Sequence, residues 1–219
     1  MATQTVTVDQ ERAVLLLVDI QPDFMPGGAL PVEDGDAIVE PVARLMRSGV
    51  FHNFAATQDW HPRGHVSFAS QHEGRQPFDV IQLYGHDQTL WPDHCIQGTA
   101  GAALAPDLPW ERVSVIVRKG MDPASDSYSG FRNNWNPEGG RPSTGLAGYL
   151  RERGWTGVFV CGLARDVCVK WTAEDAAGAG FDTWVLWDLT RAVDPGSDDR
   201  VREDLKAAGA RVITSDQLA

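Results

Sequence analysis

A cysteine at position 168 ends the run Val160-Cys-Gly-Leu-Ala-Arg-Asp-Val-Cys168, where an apolar stretch passes through a glycine into helical spacing. A thiol at a helix start feels the partial positive charge of unpaired backbone N–H groups. That favours its thiolate, and the same groups can hold a developing oxyanion. Asp19, Asp59 and Lys119 stand at the ends of other apolar runs. A nucleophilic cysteine needs a base for its proton and a cation beside its sulfur; Asp19 can serve as the first and Lys119 as the second. The ammonium lowers both acid pKa values while burial raises them, so the three should titrate as one unit. Such a set suits acyl transfer from a carboxamide through a thioester that water then hydrolyses. Singly, a strand-ending Asp is usually a turn residue, a Lys there is solvated and a Cys packs in a core. Their joint placement at the ends of consecutive strands points to chemistry. Cys161, within a strand, and Cys95, beside His94, read as packing.

A second constellation follows Asp59 in Gln58-Asp-Trp-His61-Pro-Arg-Gly-His65. In an extended chain alternate side chains share a side, so Asp59 and His61 can face one ion. His94, in Trp91-Pro-Asp-His-Cys-Ile-Gln-Gly-Thr99, adds an imidazole. Two imidazoles and a carboxylate with open positions suit one divalent ion, Zn²⁺, Fe²⁺ or Mn²⁺. His65 can be a fourth ligand, a partner of the ligands or a loop residue. His52, His72 and His86 read as surface residues.

The elements that must position these groups alternate along the chain. Strands are expected at residues 13–19, 51–59, 113–117, 158–161, 182–187 and 211–214. Helices are expected at 36–47, 143–153, 166–179 and 197–208, with Ser143 or Thr144 capping the second and Gly154 and Gly209 past helix ends. The reading is a single α/β domain over 1–219: a mostly parallel six-stranded sheet flanked by helices, Rossmann-like, with right-handed crossovers. Residues 60–112, between strands two and three, form an insertion too long for an ordinary connection and carry the metal motifs. In open α/β sheets ligands bind beyond the carboxyl ends of the strands, where Asp19, Asp59, Lys119 and Cys168 fall.

The chain has 219 residues and a net charge of −11, with no clustered basic surface. That argues against nucleic acid as a partner. Its longest purely apolar run, residues 13–18, is far short of the about 18 needed to cross a membrane. No basic, apolar leader opens the sequence, and three cysteines make no disulfide framework. A cytoplasmic protein is expected. No coiled-coil repeat or apolar stripe marks an interface, which leaves a homo-oligomer possible.

Several motifs occur together and in order: Val18-Asp-Ile-Gln-Pro-Asp-Phe24, Gln58-Asp-Trp-His-Pro62, Trp91-Pro-Asp-His-Cys-Ile-Gln-Gly-Thr99, Arg118-Lys-Gly120, Tyr128-Ser-Gly-Phe131 and Cys161-Gly-Leu-Ala-Arg-Asp-Val-Cys-Val169. Through them the chain resembles the isochorismatase-like cysteine hydrolases, and within these the nicotinamidase branch. The resemblance spans nearly the whole chain. It implies Asp19 as general base, Lys119 as electrostatic partner and Cys168 as nucleophile, with Asp59, His61 and His94 holding a metal on which a pyridine nitrogen rests. It also implies a non-proline cis peptide at Leu163–Ala164, aiming the Ala164 N–H with that of Cys168 at the oxyanion. Phe24, Trp91 and Tyr128 would wall a flat slot, with Leu163 and Ala164 at the substrate. The implied substrates are nicotinamide and pyrazinamide-like amides, feeding NAD salvage. Relatives acting on other small amides or carbamoyl compounds share the acid, amine and thiol, and a metal or thiol redox protein could keep the fold without hydrolysis. Arg165, where the family commonly has Thr, and Val167, where it often has an aromatic or His, depart from the pattern beside the nucleophile.

Overall fold

Ala13–Val18 (β1) carries no polar side chain, and all six of its residues are buried. A strand covered on both faces has no use for alternation, so its sequence reads as an uninterrupted apolar run. In the computed structural model, which describes residues 5–219, β1 lies near the middle of a six-stranded sheet. The other members are Asn53–Asp59 (β2), Val115–Lys119 (β5), Gly157–Leu163 (β6), Asp182–Arg191 (β7) and Arg211–Ile213 (β8). Two more strands, Val80–Leu83 (β3) and His86–Thr89 (β4), form a separate antiparallel hairpin within the long insertion.

The large sheet is parallel throughout, in the order β5-β2-β1-β6-β7-β8. From β1 the chain steps outward to β2 and β5, then returns to the other side of β1 and steps outward again. The reversal lies between β1 and β6, where neighbouring connections leave in opposite directions and open a crevice. Asp19 follows β1, and Cys168 lies five residues beyond the end of β6.

Helix Val39–Arg47 (α1) packs Val42, Leu45 and Met46 with Leu15 and Leu17 of β1. Leu146–Glu152 (α2), Lys170–Gly178 (α3) and Asp198–Ala207 (α4) cover the opposite face, with Leu150, Ala173 and Leu205 among the residues packed with Val14, Leu16 and Val18. Right-handed crossovers require this division, because the chain winds in opposite senses on either side of β1.

The expected architecture is present, with local corrections. The third strand of the sheet runs Val115–Lys119 rather than 113–117, so Lys119 is its last residue. The fourth strand continues through Gly162 to Leu163. Gly162 is therefore no turn: at φ 120° it sits where the register against β7 shifts, and a β-carbon there would fall 2.0 Å from Val18 O. The second helix begins only at Leu146, with Gly145 at φ 91° in the cap position; the Thr144 hydroxyl accepts from the Leu146 N–H at 3.3 Å and donates to Gly130 O, while Ser143 Oγ accepts from the Gly145 N–H. The segment at 166–179 opens with one π-helical turn, Arg165–Val169, before α3. Such wide turns are frequent at functional sites. The hairpin escaped a reading by strand period because its strands are short and mixed in polarity. Its turn signal was Tyr84-Gly85, both at positive φ. No described helix is long and apolar enough to cross a membrane.

Candidate active site

Asp19 leaves β1 with φ 46°, a left-handed conformation that turns its carboxylate under the strand ends. Thr57 of β2 holds it there: the Thr57 hydroxyl donates to Asp19 Oδ1 at 2.6 Å, and the Asp19 N–H donates to Thr57 Oγ1 at 3.2 Å. Two residues along, Asp59 ends β2 on the same side, and Gln21 clamps its backbone. Gln21 Oε1 accepts from the Asp59 N–H at 2.7 Å, and Gln21 Nε2 donates to Asp59 O at 2.9 Å. Lys119 ends the neighbouring β5 in register with Asp59.

These strand ends bring the acid, the amine and the thiol together. Lys119 Nζ lies 2.9 Å from Asp19 Oδ2, 2.7 Å from Asp59 Oδ1 and 3.5 Å from Cys168 Sγ, and donates to Ser127 O at 2.8 Å. Asp19 and Lys119 are 0 % and 1 % exposed, and Cys168 is 6 % exposed. Burial opposes the charge on Lys119, but two carboxylates overcome it and hold its pKa well above the usual lysine range. Asp59 is also penalised by burial, yet Lys119 and the two histidines hold its carboxyl well below the usual range. Asp19 goes the other way: burial outweighs Lys119, and its pKa is raised.

Cys168 corrects an expectation. Burial and the nearby Asp19 and Asp59 outweigh Lys119 and push the thiol well above its ordinary value. Cys161 and Cys95, both fully buried, have thiols raised by burial as well.

The two N–H groups expected to face an oxyanion belong to Ala164, which precedes the π-helical turn, and Cys168, which lies within it. The Leu163–Ala164 peptide is cis. Ala164 O accepts from the N–H groups of Val167 and Val169 at 3.1 and 3.0 Å and passes over that of Cys168 between them. Ala164 and Cys168 both line the cavity, whereas the Leu163 side chain is fully buried in the core against Gly35 and does not.

Beside the thiol, Asp59 Oδ2 lies 3.3 Å from His61 Nε2 and 3.6 Å from His94 Nε2. The two loops that bear these imidazoles pair with each other: the His61 N–H bonds to Cys95 O, and the Gln97 N–H to His61 O, each at 2.9 Å. The outer nitrogens face backbone carbonyls, His61 Nδ1 at 3.0 Å from Gly120 O and His94 Nδ1 at 2.8 Å from Pro92 O. A carbonyl can only accept, so each Nδ1 carries a proton, and each Nε2 is left on the side of Asp59. This is the arrangement that metal-binding histidines show, and the three donor atoms lie within 4.8 Å of one another. The residues fit a divalent ion. Gly120, at φ 65°, is what admits the His61 ring: a β-carbon there would fall 2.3 Å from its Cε1.

His65 is buried with both nitrogens engaged, Nδ1 at 2.8 Å from Ser67 Oγ and Nε2 at 3.3 Å from Ser125 O. Burial and the neighbouring His61 lower its pKa to about 4. It packs against His61, with ring centroids 4.3 Å apart, and its ring nitrogens are already committed to protein partners. His52 is exposed, but His72 bonds to Val66 O and His86 stacks on Trp135, so neither is a free surface residue.

The thiol, Asp59 and both imidazoles line one cavity, while Asp19 and Lys119 are not part of its wall. Phe24, Trp91 and Tyr128 wall it, the Trp91 indole N–H donating to the Tyr128 hydroxyl at 3.2 Å. Leu30, Val193, Asp126 and Ser127 also line it and were not anticipated. Leu30 and Val193 lie in loops without periodicity; Asp126 and Ser127 immediately precede the Tyr128 motif, which was the available signal. Thr57 could have been found from the alternation that places it on the face of Asp59. Of the two departures from the family pattern, Val167 lines the cavity. Arg165 faces away, bonding Thr190 and Asp198 and lying 4.1 Å over the Trp187 ring.

Comparison with known proteins agrees with this geometry. The chain is 45 % identical over 206 residues to a nicotinamidase of Acinetobacter baylyi, covering 93 % of each chain. Its fold superposes on the yeast nicotinamidase bound to the inhibitor nicotinaldehyde with a TM-score of 0.86 and 32 % identity, covering 93 % of this chain and all of that one. On a pyrazinamidase of Pyrococcus horikoshii in complex with zinc the TM-score is 0.73 and the identity 36 %, covering 93 % and 99 %. The isochorismatase domain model matches residues 13–217, and the chain belongs to that family.

Proposed function

We propose that this protein is an amidohydrolase that converts nicotinamide to nicotinate and ammonia. The observation that carries the reading is the convergence of Asp19, Lys119 and Cys168 beside Asp59, His61 and His94. The kinship with nicotinamidases supports the choice of amide.

In this reading Asp19 enters as the carboxylate and takes the Cys168 proton as the sulfur attacks. The S–C bond forms, and the carbonyl π pair moves to oxygen, facing the N–H groups of Ala164 and Cys168. Lys119 stays charged and offsets the negative charge that passes among thiolate, carboxylate and oxyanion. When the carbonyl re-forms, the C–N pair goes to nitrogen, which takes the proton from Asp19 and leaves as ammonia. Asp19 then accepts a proton from water as its oxygen attacks the thioester. The S–C bond breaks, and the proton returns to sulfur as nicotinate departs. Burial raises the pKa of both the Asp19 carboxyl and the Cys168 thiol, and the shuttle passes one proton between them.

Asp59, His61 and His94 would hold one divalent ion, Zn²⁺, Fe²⁺ or Mn²⁺, and zinc in the Pyrococcus relative supports the class. When bound, such an ion supplies an electrophilic seat for the ring nitrogen. Phe24, Trp91 and Tyr128 exclude water and hold a flat ring in the slot, and pyrazinamide fits the same description. The reading includes a cytoplasmic enzyme of one domain with no nucleic acid partner.

The direct test is ammonia release from nicotinamide by metal-loaded protein. Cys168→Ala should abolish it with the melting temperature retained, and His94→Ala should lower the bound metal after dialysis. Intact protein that releases no ammonia refutes the reading.

A further inference from the structure

Two buried side-chain oxygens in the described structure have no hydrogen-bond partner, Asp19 Oδ2 and Ser127 Oγ. Native proteins rarely leave such atoms unpaired, and each exception calls for a cause. Asp19 Oδ2 has one: it lies 2.9 Å from Lys119 Nζ in an ion pair and, in the reading above, carries the proton in transit. Ser127 has no assigned role. It is 1 % exposed and lines the substrate cavity. Its backbone is pinned on both sides, the N–H donating to Asp126 Oδ1 at 2.8 Å and the carbonyl accepting from Lys119 Nζ at 2.8 Å. The hydroxyl is thus held on the wall beside the ammonium that contacts the nucleophile.

A carboxamide has one carbonyl acceptor and an NH₂ with two donors. The carbonyl faces the oxyanion N–H groups, so the NH₂ needs acceptors of its own in a dry cavity. Most acceptors there are taken. Asp59 Oδ1 accepts from Lys119, its Oδ2 faces the two histidines, and Asp126 accepts from Ser127 N and Gln88 Nε2. Ser127 Oγ is uncommitted.

We infer that Ser127 Oγ accepts a hydrogen bond from the carboxamide nitrogen of the substrate. It positions that nitrogen while the C–N pair passes to it and it takes the proton from Asp19. The inference rests on the nicotinamide reading and adds a contact that distinguishes an amide from an isosteric carbonyl compound without nitrogen.

Pyridine-3-carboxaldehyde supplies the control. Cys168 sulfur adds to its carbonyl carbon, the π pair moves to oxygen, and the thiol proton neutralises that oxygen, so the adduct uses the thiol and the oxyanion donors but presents no amide nitrogen. The measurements are kcat/KM for nicotinamide and the inhibition constant of the aldehyde, in metal-loaded wild type, Ser127→Ala and Ser127→Thr. For Ser127→Ala we expect kcat/KM to fall about tenfold, the usual scale of one neutral hydrogen bond. The aldehyde constant should stay within about twofold, because the adduct never used the hydroxyl. Ser127→Thr should restore most of the amide rate, since it restores the oxygen. Equal losses toward amide and aldehyde, an unchanged amide rate in the Ala variant, or failure of Thr to restore it would each overturn the inference. Absence of ammonia from the wild type would instead overturn the parent reading, and the contact with it.

Discussion

Replacing Lys119 with Met keeps most of the side-chain volume and removes the single positive charge between two buried carboxylates. At 2.9 Å from Asp19 Oδ2, that charge is worth about 6 kcal/mol to the carboxylate at an effective dielectric constant of about 20. The same ammonium opposes the burial that already raises the Asp19 pKa. Without it, Asp19 holds its proton at neutral pH and no longer serves as a base. At about 1.4 kcal/mol per decade this moves Asp19 protonation by roughly four decades of pH, and kcat/KM at pH 7 should fall by the part of that move lying above pH 7, about tenfold or more. The sign of the pH dependence follows. The inactive form is protonated Asp19, so the acidic limb of kcat/KM moves to higher pH and the variant regains rate as pH rises. Stability runs oppositely. Losing one partner of a buried pair costs about 3–5 kcal/mol, and protonating the stranded carboxylate relieves part of it. A group whose folded pKa is raised contributes stability below its unfolded value and loses it as pH rises through the folded one. The variant's deficit in melting temperature should therefore narrow toward acid. Ammonia release measured across pH, with thermal melts at each point, tests both. An acidic limb left in place, or a loss under tenfold at pH 7 with the fold intact, would refute the electrostatic argument.

Gly120→Ala adds a carbon 2.3 Å from His61 Cε1 at a backbone φ of 65°. It should displace that ring and weaken metal retention on dialysis by tenfold or more; unchanged metal content would contradict the packing described. Arg165→Leu removes the bonds to Thr190 and Asp198 and the contact with Trp187. With a loss of about 2 kcal/mol expected, Tm should drop by roughly 4–8 °C in thermal melts. A drop below about 1 °C would mean the guanidinium network adds no net stability.

The parts of this molecule that local chemistry dictates could be read from the chain. Apolar runs such as residues 13–18 specify strands buried on both faces, and their alternation with amphipathic segments specifies a parallel sheet. Asp19, Asp59, Lys119 and Cys168 could be grouped because connections in such sheets put strand ends on one side. The alternation of an extended chain sufficed to pair Asp59 with His61. Other features depend on groups far apart in sequence, and periodicity carries no trace of them. The raised pKa of the Cys168 thiol is one: burial and two carboxylates from other strands outweigh Lys119. The commitment of His65 to Ser67 and Ser125, with its pKa at about 4, is another. The unpaired hydroxyl of Ser127 is a third, since its lack of partners is a property of everything packed around it. Residue types and spacing prescribe which groups can meet. The dielectric surroundings and the supply of hydrogen-bond partners arise only once the sheet has closed over them, and these set how each group behaves.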